Sequence, residues 1–97
     1  MDQDEFVIFA ELNREAFERI LDELMNHYPQ VQFGRQGDDW IWVHLPDGVI
    51  EIDTFFSNNL QVKGKANQLS SAAELLGRIS PKLILEIFNP PIADLTR

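Results

Sequence analysis

The stretch from Val31 to Lys65 constrains the fold most, because apolar and polar residues alternate along it between three turn signals. Alternation with a period of two places successive side chains on opposite faces of a strand. The turn signals divide the stretch into four such segments; they are Gly37-Asp38, Pro46-Asp47-Gly48 and Ser57-Asn58-Asn59. The pattern predicts a four-stranded antiparallel meander.

The turn chemistry predicts the register of the meander. Gly37-Asp38 is expected to form a two-residue turn. Pro46 lacks the N–H that a two-residue Asp47-Gly48 turn would use, so a type I turn with Gly48 in the left-handed position is favoured. This choice pairs Leu45 with Val49 and directs both tryptophans toward the core. The expected core face comprises Val31, Phe33, Trp40, Trp42, Ile50, Ile52, Phe56, Leu60 and Val62.

The opposite face of the predicted meander carries charged as well as apolar side chains. A three-residue loop ending at Asn59 pairs Asp53 with Lys63 and Glu51 with Lys65 across neighbouring strands. An apolar centre with a polar rim is the usual composition of a protein interface. The candidate interface residues are Ile41, Val43, Leu45, Val49, Phe55, Glu51, Asp53, Lys63 and Lys65. The alternative is that a helix or the C-terminal segment covers the apolar strip on this face.

The residues before the meander predict a strand and a helix. The apolar run from Glu5 to Ala10 suits a central strand that is covered on both faces. Asn13 is a favourable N-cap, and the apolar residues that follow recur at helical spacing until Pro29 ends the helix. These apolar residues are Ala16, Phe17, Ile20, Leu21, Leu24 and Met25.

The residues after the meander predict a second helix and leave the last element open. Ser71 and Glu74 match a capping box at the start of that helix. The segment from Pro81 to Phe88 fits a helix, because a proline suits the first turn, or a strand, because apolar residues alternate; we favour the helix. Residues 92–97 are expected to form a loose tail.

Together these elements predict a single α+β domain over residues 1–97, with the order β-α-β-β-β-β-α and a final segment of uncertain type. A four-stranded antiparallel meander and an N-terminal strand form the sheet. Two helices are expected to pack on the face that carries the tryptophans.

The composition excludes several classes of partner. The 97 residues hold 16 acids and eight bases, and the formal charge of −8 repels nucleic acid and anionic membrane surfaces. The chain has no cysteine, which excludes disulfides and thiolate chemistry. There is no run of eighteen apolar residues and the N-terminus is acidic, so we expect neither a membrane helix nor a signal peptide, and we expect a cytoplasmic protein.

The charge is also unevenly distributed along the chain. Residues 1–53 hold 13 acids and three bases, whereas residues 54–97 hold three acids and five bases. Such asymmetry is typical of a solvated acidic face, and it can also steer a basic partner or orient self-association.

His44 is the most tempting catalytic residue, because histidine titrates near neutral pH. The predicted register places His44 on the core face, whereas Glu51 and Asp53 lie on the opposite face and pair with lysines. A two-residue Asp47-Gly48 turn would instead bring His44 opposite Glu51. No phosphate-binding glycine loop or serine-nucleophile motif is present. We therefore assign no catalytic, cofactor-binding or metal-binding residue.

The sequence does not identify a specific activity. The expected function is that of an acidic, non-catalytic protein–protein interaction or self-association module, whose partner is another protein or a second copy. One alternative is an inhibitor or chaperone-like binder of a basic protein, which would use the carboxylates displayed along the first helix: Glu11, Glu15, Glu18, Asp22 and Glu23. A second alternative is a small enzyme or metal binder that uses His44, Glu51 and Asp53.

Overall fold

The computed structural model describes residues 3–96, which form an α+β fold with a six-stranded antiparallel sheet and two helices. The elements are β1 (Phe6–Leu12), α1 (Phe17–Met25), β2 (Val31–Gly34), β3 (Trp40–Leu45), β4 (Gly48–Asp53), β5 (Leu60–Lys65), α2 (Leu69–Gly77) and β6 (Ile84–Ala93). The strand order in the sheet is β2-β3-β4-β5-β1-β6. The predicted meander is confirmed, and the N-terminal strand is an interior strand between β5 and β6. None of the helices in residues 3–96 is long and apolar enough to cross a membrane.

Strand β1 is buried along most of its length because a bulge changes its alternation. Val7 pairs with Gly64 and Ala10 pairs with Val62, so the register shifts by one residue between them. Phe9 is the extra residue, and both Phe9 and Ala10 are buried in the core. A bulge places two consecutive side chains against one partner residue, which explains the unbroken apolar run in the sequence.

Helix α1 follows a short 3-10 turn at Arg14–Ala16 and buries most of the predicted apolar stripe, although Met25 is exposed. Asn13 accepts a hydrogen bond from the backbone N–H of Glu15 at 3.0 Å and caps the helical start. The helix buries Phe17, Ile20, Leu21 and Leu24.

Helix α2 begins at Leu69, two residues before Ser71, so the predicted capping box is wrong. The hydroxyl of Ser71 instead donates to Asp47 at 2.7 Å and ties the helix to the β3–β4 turn.

The β3–β4 turn differs from the prediction by one residue. Leu45 pairs with Gly48, which leaves Pro46-Asp47 as the two residues of the turn. Pro46 then occupies the position where its fixed φ is favourable and where no N–H is needed, and glycine is favoured two residues later. Gly48 has φ +128°, as its predicted left-handed position requires. The predicted pairing of Leu45 with Val49 is therefore wrong.

The β2–β3 connection is also longer than predicted. Gly34 pairs with Trp40, which leaves a five-residue loop in place of a two-residue Gly37-Asp38 turn. Gly37 has φ +81° within this loop. Arg35 follows the last residue of β2, and its guanidinium binds Asp39 at 3.1 Å across the base of the loop.

The predicted β4–β5 register is wrong by two residues. Because a shift of two residues leaves each side chain on the same side of the sheet, the predicted faces of β4 and β5 are correct. Glu51 pairs with Lys63, not with Lys65, and Asp53 pairs with Gln61. A six-residue connection replaces the predicted three-residue loop.

Because the β3–β4 pairing is shifted by one residue, β3 directs toward the core the side chains that were predicted to lie on the opposite face. Its core-facing residues are Ile41 and Val43, whereas Trp40, Trp42 and His44 point to the other side of the sheet. The helices therefore pack on the face opposite the tryptophans. The sheet residues of the core are Val7, Phe9, Ala10, Leu12, Ile41, Val43, Ile50, Ile52, Leu60 and Val62.

The C-terminal segment is a strand, which corrects the favoured helix. A short 3-10 turn at Pro81–Leu83 precedes β6, which pairs with β1 along the edge of the sheet. Ile92 pairs with Ile8 and Ala93 pairs with Val7, so the expected loose tail begins as ordered strand. Arg97 lies outside the described residues.

Candidate functional site

The face of the sheet opposite the helices, here called the open face, carries most of the chemically distinctive side chains. Trp42, Phe55 and Phe56 are exposed there by 36%, 41% and 64%. The two phenylalanines come from the 54–59 connection, which lies against the open face above β5. We call Trp40, Trp42, Phe55 and Phe56 the aromatic cluster.

A buried ion pair lies beneath the phenylalanines. Lys63 Nζ is 2.8 Å from Asp53 Oδ1, and the two side chains are only 2% and 0% exposed. The centroids of the Phe55 and Phe56 rings lie 5.8 and 5.9 Å from the same Nζ, within cation–π range. Asp53 Oδ1 also accepts a hydrogen bond from the Phe55 N–H at 3.2 Å, so the ion pair positions the loop that covers it.

The predicted association of Asp53 with Lys63 is confirmed as a contact, although the two residues are diagonal neighbours. The burial of Asp53 and Lys63 changes what their ion pair contributes to stability. An exposed ion pair contributes little to stability. In a buried ion pair the two charges attract each other strongly, and removing one partner leaves the other charge buried and uncompensated.

The two tryptophans pack against each other at the other end of the open face. Their ring centroids are 5.0 Å apart with an interplanar angle of 49°. A Cβ atom built on Gly34 would lie 2.5 Å from the indole Nε1 of Trp40. The indole therefore covers β2 only because residue 34 has no side chain, and this close approach fixes the orientation of the pair.

The structure brings His44, Glu51 and Asp53 to the same face, contrary to the predicted separation. His44 pairs with Val49, and Glu51 pairs with Trp42. The imidazole Nε2 donates to Gln32 Oε1 at 2.6 Å, while Asp53 is bound to Lys63. Within residues 3–96 there is no group of three histidine, aspartate or glutamate side chains that could hold a metal ion.

The candidate interface residues are divided between the two faces. Ile41 and Val43 are fully buried under the helices, so the apolar strip is covered at these positions. Leu45 is partly buried against the same core. The rest lie on the open face or in the connection above it; they are Val49, Glu51, Asp53, Phe55, Lys63 and Lys65.

Two further carboxylates face each other at the far side of the open face. Glu11 of β1 pairs with Glu86 of β6, so like charges lie directly opposite each other. Glu11 accepts a hydrogen bond from Asn59 Nδ2 at 3.2 Å, which links this pair to the loop of the aromatic cluster. Glu11 is a strand residue and does not belong to the acidic surface of the first helix.

The acidic residues around α1 are partly committed to internal contacts. Glu18 pairs with Arg35 at 3.3 Å, and Glu23 accepts hydrogen bonds from the backbone and the hydroxyl of Ser80. Glu15 and Asp22 are exposed. The helix therefore offers a smaller acidic surface than its sequence suggests.

Asp39 forms a second anchor that sequence reasoning missed. It is buried and receives the guanidinium groups of Arg35 at 3.1 Å and Arg14 at 3.3 Å. The hydrogen bond from Arg35 is the main cause that lowers the pKa of the Asp39 carboxyl. Arg35 also lies 4.4 Å above the ring of Phe17 and joins the loop to α1. The only signal for this ion pair in the sequence is that Arg35 and Asp39 are four residues apart with a glycine between them.

An apolar groove of about 290 Å³ lies on the helix side of the sheet, between α2 and the edge strand β6. Apolar side chains and small residues form its walls. The lining residues are Phe9, Leu69, Ala72, Ala73, Leu76, Gly77, Ile87 and Phe88.

Comparisons with protein-family models, with curated proteins and with solved structures found no match to the chain.

Proposed function

We propose that the protein is a non-catalytic binding module whose open face takes up a basic segment of another protein that also carries apolar side chains. The observation that carries the proposal is the exposure of Trp42, Phe55 and Phe56 on the face that no helix covers within residues 3–96. Aromatic side chains are enriched in protein interfaces and provide large contact areas at low entropic cost.

The charge of the open face favours a basic partner. The facing carboxylates of Glu11 and Glu86 repel each other, and a cation placed between them would relieve that repulsion. Glu51 adds a third carboxylate beside Trp42. The four acidic residues placed on this face, Glu11, Glu51, Asp53 and Glu86, outnumber its two basic residues, which are Lys65 and the Lys63 that pairs with Asp53. Lysine and arginine side chains can therefore bind the carboxylates and also stack on the exposed rings.

A second copy of the chain is a less suitable occupant of this face. Each copy has a formal charge of −8, and apposing two open faces would bring their carboxylates together. Charge complementarity across interfaces increases the association rate and discriminates against like-charged partners.

A defined pair of peptides tests the proposal. One peptide of twelve residues alternates arginine or lysine with leucine, and its control replaces every basic residue with glutamate. The intrinsic fluorescence of Trp40 and Trp42 reports binding, because both indoles lie on the open face. We expect the basic peptide to bind and to change the emission, and we expect the acidic peptide to leave it unchanged.

Matched variants locate the binding site. Phe56→Ser removes the most exposed ring of the cluster and is expected to weaken peptide binding about tenfold, equivalent to about 1.4 kcal/mol. Met25→Ser changes a half-exposed apolar residue on α1 and is expected to leave the affinity unchanged. Equal binding of the two peptides, or equal effects of the two variants, would contradict the proposed function.

A further inference from the structure

We infer that Asp39 and Thr54 are positioning residues of the proposed binding site, because they fix the point at which the 54–59 connection leaves the sheet. The inference rests on the proposed function and adds two residues that hold the aromatic cluster in place without facing the partner. Both residues are buried, with only 3% and 6% of their surfaces exposed.

Asp39 and Thr54 lie at the end of the β3–β4 ladder. Trp40 pairs with Asp53, so the same register places Asp39 opposite Thr54. The Thr54 N–H donates to the Asp39 carbonyl at 3.0 Å, as in a regular antiparallel pair. The Asp39 N–H donates to the hydroxyl oxygen of Thr54 at 3.1 Å. A regular ladder would use the Thr54 carbonyl for this bond, so the side chain takes the place of the backbone acceptor.

This exchange of acceptors releases the Thr54 carbonyl from the ladder where the connection begins. The carbonyl accepts a hydrogen bond from the Ser57 N–H at 3.5 Å, within the connection. The residue after Thr54, Phe55, donates its N–H to Asp53 and places its ring over Lys63. The two hydrogen bonds of Thr54 with Asp39 therefore set the position from which the phenylalanines extend over the open face.

The side chain of Asp39 is held from the helix side of the sheet. Neighbouring residues of an extended chain point to opposite faces, so Asp39 faces the helices while Trp40 lies on the open face. The Asp39 carboxylate binds Arg14 and Arg35, and Arg35 lies over the ring of Phe17 in α1. One residue thus joins the contacts of α1 to the start of the aromatic connection.

Rings that are held in place before a partner arrives favour binding of that partner. Connections between strands are commonly mobile, and a mobile side chain loses conformational freedom when it is bound. A connection that is already ordered in the free chain avoids much of this cost. We therefore expect loss of the Thr54 hydroxyl to weaken binding, although the residue is too buried to touch the partner.

Two substitutions at Thr54 separate the hydrogen bond from the shape of the side chain. Thr54→Val keeps the shape and removes the acceptor for the Asp39 N–H, so it is expected to weaken binding of the basic peptide about tenfold. Thr54→Ser keeps the hydroxyl and is expected to bind within about twofold of wild type. Ser71→Ala is the matched control and is expected to leave the affinity unchanged, because it removes a hydroxyl hydrogen bond at the opposite end of β3 and β4.

A double-mutant cycle distinguishes positioning of the rings from a general loss of stability. If Thr54 acts through the rings, Thr54→Val should weaken binding by less than about threefold once Phe56→Ser has removed the most exposed ring. Equal losses with and without Phe56→Ser would overturn the inference, because a general loss of stability acts alike in both backgrounds.

Amide hydrogen exchange of the free chain supplies a readout that needs no peptide. The N–H groups of Phe55 and Asn59 donate to Asp53 and Ser57, respectively. Both are expected to exchange about fivefold faster or more in Thr54→Val, because the start of the connection is no longer fixed. Asp39→Asn is expected to act in the same direction, since it weakens the contact with the two arginines, and Ser71→Ala is expected to leave both rates unchanged.

The two measurements separate failure of the inference from failure of the proposed function. Unchanged exchange, or unchanged peptide affinity, in Thr54→Val would overturn the inference and leave the proposed function standing. A wild-type chain that does not bind the basic peptide would contradict the proposed function, whereas faster exchange in Thr54→Val would still support the role of Asp39 and Thr54 in positioning the connection.

Discussion

At the scale of single residues, two buried carboxylates organise the regions around them. Asp53 holds Lys63 and the loop that carries Phe55, while Asp39 holds two arginines at the base of the β2–β3 loop. Because both carboxylates are buried, removing the basic partner of either would leave a buried charge uncompensated. Both acids therefore anchor the chain at positions where short turns were predicted and longer loops formed.

Replacing Lys63 tests the strength of the buried ion pair. Lys63→Met is expected to lower the free energy of unfolding by about 3–5 kcal/mol, because it leaves the Asp53 carboxylate buried without its cation. The double variant Lys63→Met/Asp53→Leu is expected to recover much of that loss. Urea unfolding measures both. A loss below about 1 kcal/mol in the single variant would show that water reaches the carboxylate.

The Asp39 anchor predicts a dependence of stability on pH. The pKa of this carboxyl is lowered, mainly by its hydrogen bond with Arg35. Its contribution is therefore complete above the ordinary aspartate pKa, and it is lost as the pH falls through the lower folded value. Asp39→Asn is expected to cost about 1–3 kcal/mol at pH 7. In urea titrations the difference from wild type should shrink from pH 5 to pH 2, and a constant difference would contradict the assignment.

At the scale of elements, the sequence predicted which segments form strands and helices better than it predicted their register. The meander, the N-terminal strand and α1 follow from periodicity and from Asn13. The predicted orientation of β3 was wrong because Pro46 lies inside the turn, which shifts the pairing by one residue. A shift of one residue exchanges the two faces of a strand. The consequence for the site is large, because His44 and the tryptophans lie on the open face and not on the core face where they were predicted.

The last element and the covering loop depend on contacts that local patterns do not report. The segment Ile84–Ala93 alternates weakly as a strand and becomes one because β1 supplies a pairing edge. The position of Phe55 over Lys63 depends on the longer β4–β5 connection. The association of Asp53 with Lys63 could be predicted, because opposite charges favour each other across neighbouring strands, whereas its burial could not.

A pair of glycine substitutions tests the packing between β2 and β3. Gly34→Ala would place a methyl group against the Trp40 indole and is expected to cost about 1–3 kcal/mol. Gly77→Ala, at the last residue of α2, meets no atom within 4 Å and is expected to be neutral or to stabilise the chain by up to about 0.5 kcal/mol. Thermal unfolding with tryptophan fluorescence measures both. Equal effects of the two substitutions would show that the indole does not depend on Gly34.

At the scale of the whole molecule, the sheet separates two surfaces of different chemistry. The open face combines aromatic rings with carboxylates, whereas the β6 edge combines unpaired backbone with aliphatic side chains. Ion pairing is screened by salt, and burial of apolar surface is not. The proposed binding at the open face is therefore expected to weaken as the ionic strength rises.

Salt titration checks this expectation directly. Raising the sodium chloride concentration from about 50 to 500 mM is expected to weaken binding of the basic peptide at least several-fold. Peptide affinity that is independent of salt would argue that the carboxylates of the open face do not take part.

The rings that cover Lys63 also limit the access of water to its ion pair. A partner pressing on Phe55 and Phe56 would dry that pair further, and attraction between charges increases when water is displaced. Occupation of the surface and rigidity of the 54–59 connection are then linked, so amide hydrogen exchange in this connection should slow on binding. The loop would report, through its own protection, whether a partner is in place.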